Sequence, residues 1–162
     1  MRRLVRRLRL ALEQADEIAE QIRRRAQARY AALTTICGVS LLTAGALAGI
    51  LGPGQRFRTD AQLAAFAGVA PLEASSAGHV RHRLNRGGNR RLNAILHRMA
   101  VAQARCSPAA QTYLTRRRAD GKSRREALRA LKRFLIRAVW RAWQQCPGAT
   151  ADYLTAPTSL AA

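Results

Sequence analysis

Residues 30–55 read YAALTTICGVSLLTAGALAGILGPGQ, a stretch without one charged side chain. About 20 apolar residues suffice to span a bilayer, so this stretch decides between a membrane segment and the buried helices of a helical domain. Gly45 and Gly49 form a small-xxx-small pair of the kind that packs helices closely. Strongly apolar residues are nevertheless few. Thr34, Thr35, Ser40, Thr43 and the glycines at 38, 45, 49 and 52 dilute the run. Both flanks are basic, which gives no orientation signal. The stretch therefore predicts a helix ending near Thr35, a tight turn at Cys37-Gly38-Val39, and a second buried helix from Ser40 to Leu51. Gly52-Pro53-Gly54 stops that helix. The result is a helix-hairpin-helix shape whose turn amides, at Gly38, can face a DNA phosphate. No membrane association is expected.

Upstream, the first thirty residues read as one helix. Val5, Leu8, Leu12, Ala15, Ala19, Ile22 and Ala26 alternate spacings of three and four, a seam of three heptads. The seam suits a dimerising coiled coil, and hence a homo-oligomer, or a helix lying on its own domain. Arg2, Arg3, Arg6, Arg7, Arg23, Arg24 and Arg25 point outward from it. Downstream, Thr59 caps a short helix over Asp60 to Ala67, which Gly68 ends. An irregular segment runs from Pro71 to Gly87-Gly88. From Asn89, Leu92, Ile95, Leu96, Met99 and Val101 give a helix to about Arg105. Ser107-Pro108 starts the next helix, and Gly121 ends it. Ser123 and Glu126 form a capping box that opens a long helix with Leu128, Leu131, Leu135, Ala138, Val139 and Ala142 on one face. No strand pattern stands out. The fold class is all-α. Three regions are expected: a coiled-coil helix over 1–32, a helical domain over 33–145, and a flexible tail over 146–162.

Charge narrows the function. The 162 residues carry 29 Lys+Arg against 9 Asp+Glu, a net charge of +20. Only Lys122 and Lys132 are lysines, and the planar guanidinium of arginine matches phosphate oxygens and stacks on bases. Residues 74–119 contain no carboxylate. That stretch cannot neutralise itself, so a polyanion is its expected counter-charge. Cys37, Cys106 and Cys146 are odd in number and far apart in sequence. They make no disulfide framework, and a reducing cytoplasm is the simpler setting. Glu13 to Glu20 interrupts any signal-peptide hydrophobic stretch.

Within the acid-free stretch, residues 75–92 read SSAGHVRHRLNRGGNRRL. Serine hydroxyls need a base or fixed positive charge to become nucleophiles. Ser75 and Ser76 lie near Arg81, Arg83, Arg86, Arg90 and Arg91 in sequence, and arginines stabilise charge developing on a phosphate. His79 or His82 could move a proton. The bland alternative is a loop whose serines bond only to backbone or phosphate. Metal ligation is poorly supported, because Asp60, Glu73, Asp120 and Glu126 are scattered and mostly serve as caps. Trp140, Trp143 and Phe134 sit at helical spacing and suit a core better than a base-stacking platform.

The order of blocks carries a resemblance. TICGVSLLTAGALAGILG is followed by RFRTDAQLAAFAGVAP, SSAG, NRGGNRRLNAILHRMA and SPAAQTYLTRRRADGKSRREALRALKRFLIRAVW. From about Leu33 to Gln145 this resembles the C-terminal half of the insertion-sequence one-ten/one-sixteen family of transposases, relatives of the Piv-type DNA invertases. The resemblance implies DNA as partner, a structured guide RNA as a further one, and a bacterial cytoplasmic, nucleoid-associated setting. It also implies an N-terminal RuvC-like domain whose DEDD carboxylates hold Mg2+. That domain is not among these residues, so no cofactor is expected in this chain. The chain is expected to be the DNA-binding part of a transposase without independent catalysis, or a non-catalytic nucleic-acid-binding or regulatory module derived from one. The family's nucleophilic serine lies five residues after the proline and precedes a glycine. Counting from Pro71 gives Ser76, but Ala77 takes the glycine's place, which keeps Ser75 as the alternative. Cys37 stands where proline is usual and Ser40 where a second glycine is usual. Arg56, Arg58 and Gly38 complete the expected nucleic-acid-binding set with Arg81, Arg83, Arg86, Arg90 and Arg91.

Overall fold

The uncharged stretch folds as a reversal between two helices. The structure, a computed structural model, describes residues 1–52, 56–73, 82–83, 85 and 87–150. Helix α1 (Arg2–Tyr30) passes into a 3-10 turn, Ala31–Thr35, and the chain then reverses into α2 (Leu41–Leu51). Val39 N–H donates to Ile36 C=O at 3.0 Å to close the reversal, and Gly38 takes φ of +86°, a region that glycine enters without steric cost. Ser40 caps α2 by accepting from Thr43 N–H at 3.3 Å. Among the described residues, no helix is long and apolar enough to cross a membrane.

Helix α2 is apolar on every side, as a buried helix should be. Its Ala44, Leu47, Ala48 and Leu51 are buried. Gly45 lets α1 approach: a Cβ there would stand 2.5 Å from Ile22 Cγ2. Nothing lies within 4 Å of a Cβ built on Gly49, so only half of the small-residue pair packs a helix. The α1 seam is correspondingly divided. Ala26 is buried and Ile22 meets α2, whereas Val5, Leu8 and Leu12 face solvent. The C-terminal third of α1 thus packs against α2.

The remaining helices are α3 (Asp60–Phe66), α4 (Arg90–Cys106), α5 (Pro108–Ala119), α6 (Arg124–Gln144) and α7 (Pro147–Thr150). Each of α3 to α6 begins at a side-chain cap: Thr59, Asn89, Ser107 and Ser123. The α6 cap is reciprocal. Ser123 Oγ accepts from Glu126 N–H at 3.4 Å, and the Glu126 carboxylate accepts from Ser123 N–H at 2.9 Å and from its hydroxyl at 2.6 Å. Those hydrogen bonds from Ser123 hold the Glu126 carboxyl below its ordinary pKa. A carboxyl lowered on folding adds stability above its unfolded pKa and loses it as pH falls through the folded one. Ser123→Ala is therefore expected to cost about 1 kcal/mol of unfolding free energy at neutral pH. The deficit should shrink in acid, below the ordinary carboxylate range. Urea titrations at both pH values test it, and an undiminished deficit in acid contradicts the role assigned to Glu126.

Helices α4 and α6 carry the centre of the core. Leu92, Leu96, Met99, Ile136 and Val139 are fully buried beside Leu33, Leu47, Leu51 and Leu63. Each such side chain contributes about 1.5–3 kcal/mol by leaving water. Tyr30 and Trp143 stack with ring centroids 5.3 Å apart, joining the end of α1 to α6. The core continues past residue 145, because Cys146 and Ala149 are buried under α1. Helix α7 lies within the span expected as a tail, and residues 151–162 lie outside the described residues. Phe134 departs from the core expected of it. It is 51% exposed and meets the Tyr113 ring edge-on at 5.0 Å. Val101 is half-buried, and Ala100 takes the inward position.

Two short strands, β1 (Leu72–Glu73) and β2 (His82–Arg83), pair antiparallel, Leu72 opposite Arg83 and Glu73 opposite His82. No strand was expected in this segment. A two-residue ladder is too short to show alternation, and the fold remains all-α.

Candidate nucleic-acid interface

The β1–β2 ladder holds together the two ends of the chain segment that carries the serines. Ser75, Ser76, His79, Arg81 and Arg86 themselves lie outside the described residues, and Arg83 is described only as a backbone position in β2. Beyond the ladder, the chain is fixed from below. The end of α3 meets the Gly87-Gly88 turn, backbone against backbone. A Cβ on Gly88 would overlap the backbone of Gly68 and stand 2.8 Å from the carbonyl carbon of Ala67. Gly68 itself has φ of +67°. Asn89 N–H donates to Phe66 C=O at 2.7 Å, and the Asn93 amide donates to Ala67 C=O at 2.9 Å. Asn85 Oδ1 accepts from Gly87 N–H at 2.9 Å. The LAAFAG and GGNR blocks are therefore two sides of one contact.

From that contact a polar relay runs to α6. Asn93 Oδ1 accepts from Lys132 Nζ at 2.9 Å. Lys132 is 8% exposed, and its pKa is lowered first by burial and then by the nearby Arg129 charge. Lys132 lines a pocket of about 580 Å3 with His97, Ser123, Arg125, Glu126, Leu128 and Arg129. Glu126 is the single carboxylate in that lining, and it is engaged by Ser123 and by Arg129 at 3.7 Å. Arg125 has no ion-pair partner among the described residues. An excess of cation in a partly enclosed place suits an anion with several oxygens.

Sequence reading did not select this pocket. Arg125, Arg129 and Lys132 stand four and three residues apart, one face of a helix, and that spacing was a usable signal. His97 joins them only because α4 packs on α6.

The expected residues that are described fall in three places. Arg90 and Arg91 open α4, are exposed, and have no ion-pair partner among the described residues; Arg98 and Arg105 lie further along the same helix in the same condition. Arg56 is exposed, but its guanidinium lies 4.7 Å from the Phe66 ring centroid and reaches Ile50 C=O at 3.4 Å, so it also ties α2 to α3. Arg58 is exposed, and its backbone N–H donates to Gln62 Oε1 at 2.8 Å. Gly38 is exposed, and its Cα side packs on α4, where a Cβ would stand 3.1 Å from Ala102.

The carboxylates do not gather. Asp60 pairs with Arg137 at 3.2 Å, Asp120 with Arg117 at 3.4 Å, and Glu20 with Arg23 at 3.2 Å. Among the described residues, no group of three or more His, Cys, Asp or Glu could hold a metal ion. The resemblance places magnesium on a separate carboxylate domain, and no step is derived through it here.

Comparison with known proteins converges on one family. The family model described as Transposase IS116/IS110/IS902 family matches residues 30–115, more than half of the chain. A Streptomyces coelicolor protein named "Insertion element IS110 uncharacterized 43.6 kDa protein" is 40% identical over 105 residues. The alignment covers 64% of this chain and 26% of that relative, so the chain matches about a quarter of the relative's length. The matched residues include the α1–α2 reversal, the Gly68–Gly88 contact and α4. The chain belongs to the IS116/IS110/IS902 family of transposases.

Proposed function

We propose that this chain is the DNA-binding C-terminal part of a transposase or site-specific recombinase. The observation that carries the reading is the pocket between α4 and α6, where His97, Arg125, Arg129 and Lys132 face one already engaged carboxylate. In this reading the pocket and the arginines of α4 hold successive phosphodiesters. Ser76 is the nucleophile, with Ser75 the alternative, and Arg81, Arg83 and Arg86 bear on the phosphate that it attacks. The ladder at Leu72–Arg83 supports this by tying down both ends of that segment. The metal-binding carboxylates come from a separate domain, and this part does not catalyse alone. The solvent-facing Val5, Leu8 and Leu12 of α1 support self-association. The arginine-rich surface also suits a structured RNA. A bacterial cytoplasmic, nucleoid-associated location accords with the same reading.

The test is a covalent one. The protein is incubated with supercoiled element DNA, with and without a carboxylate-domain partner, and the products are resolved under denaturing conditions. A serine–DNA adduct is expected only with the partner. Ser76→Ala should abolish it without changing DNA affinity, because binding rests on the phosphate contacts. Loss with Ser75→Ala instead transfers the role to Ser75. Absence of any adduct under every condition replaces this reading with the second, a non-catalytic regulatory module that binds the same DNA.

A further inference from the structure

The fold brings two distant cysteines together. Cys37 lies in the reversal before α2 and Cys106 ends α4, sixty-nine residues apart. Their sulfurs are 2.9 Å apart, and both residues are exposed. A disulfide bond is about 2.05 Å long, so closure requires a movement of less than about 1 Å. Both attachment points are held. Gln103 Nε2 on α4 donates to Cys37 C=O at 2.9 Å, and the Gly38 backbone rests against Met99 and Ala102 of the same helix. Cys106 is followed by Ser107, whose N–H donates to Gln103 C=O at 2.9 Å. The third cysteine stands apart: Cys146 is buried, and its thiol donates to Ala142 C=O at 3.3 Å.

We propose that Cys37 and Cys106 are a thiol–disulfide exchange site that takes a small-molecule disulfide as its oxidant. One thiolate attacks a sulfur of the oxidant and expels the first small thiolate, leaving a mixed disulfide on the protein. The neighbouring thiolate attacks the protein-bound sulfur of that mixed disulfide and expels the second small thiolate. Two protein thiols are oxidised, one small disulfide is reduced to two thiols, and the two thiol protons pass to the two leaving groups. The hydrogen bond with Cys106 holds the Cys37 thiol above its ordinary pKa. The bond formed staples the α1–α2 reversal to the C-terminal end of α4. The sequence gives this pair no signature, and the closure is independent of whether the protein binds DNA.

The test uses oxidised glutathione on the purified chain. Free thiols counted after denaturation should fall from three to one, with no glutathione retained. Peptide mapping should join the Cys37 and Cys106 peptides within one chain. Closing so long a loop should raise Tm by roughly 5–10 °C, and dithiothreitol should reverse the rise. Cys146→Ser should leave the closure intact, and Cys37→Ser should stop at the mixed disulfide on Cys106. Three surviving thiols, a stable mixed disulfide in the unaltered protein, a bridge to Cys146 or a bridge between chains would each overturn the assignment.

Discussion

Gly88→Ala is expected to lower unfolding free energy by about 3–5 kcal/mol, a large part of the roughly 5–15 kcal/mol that holds a typical domain together. The reason is space, not backbone conformation. The methyl group would enter the backbone of Gly68 and Ala67, neither of which can rotate away as a side chain could. The turn would have to lift off α3, and lifting strains Asn89 N–H to Phe66 C=O and the Asn93 amide to Ala67 C=O. The neighbouring glycine is the control. A Cβ on Gly87 meets only Asn85 Oδ1, at 3.5 Å, so Gly87→Ala should cost no more than about 1 kcal/mol. Thermal and urea unfolding of the two variants decide the matter. Equal losses would mean that the backbone contact does not hold the turn.

Affinity for duplex DNA is expected to fall by about 10^3–10^5 between 50 and 200 mM salt, the loss that accompanies roughly six to ten phosphate contacts. The net charge of +20 sets the sign, and the unpaired arginines of α4 and α6 make the number of contacts reachable. Arg125→Ala with Arg129→Ala should flatten the log–log slope by about two, one for each lost phosphate contact. Removing these side chains takes no buried group from the core, since both are exposed. A nearly flat slope in the unaltered protein would remove the basis for phosphodiester binding. An unchanged slope in the double variant would move the contact surface away from the pocket.

Much of the helical plan was legible residue by residue. Thr59, Ser107 and the Ser123–Glu126 box announced helix starts, because a cap is a local hydrogen bond between residues two or three apart. Leu92, Ile95, Leu96 and Met99 announced a buried face, because a period of 3.6 is written in the chain itself. The candidate site was legible as composition only. Arg90 and Arg91 could be named from their place in an acid-free stretch, and Arg125, Arg129 and Lys132 share one face of α6, but His97 could not be joined to them. Its place beside them depends on how α4 crosses α6, and no local pattern encodes that crossing.

The sequence by itself determined the all-α class, the places where helices start, and a net charge of +20. Those rest on short-range hydrogen bonds, helical periodicity and net charge, all of which are sums over neighbours or over the whole chain. Only the tertiary structure decided that the apolar seam of α1 divides between α2 and solvent. The same holds for the backbone contact of Gly68 with Gly88 and for the meeting of Cys37 and Cys106. Each joins residues 20 or more positions apart, and such contacts are chosen by which helix faces fill the same core volume.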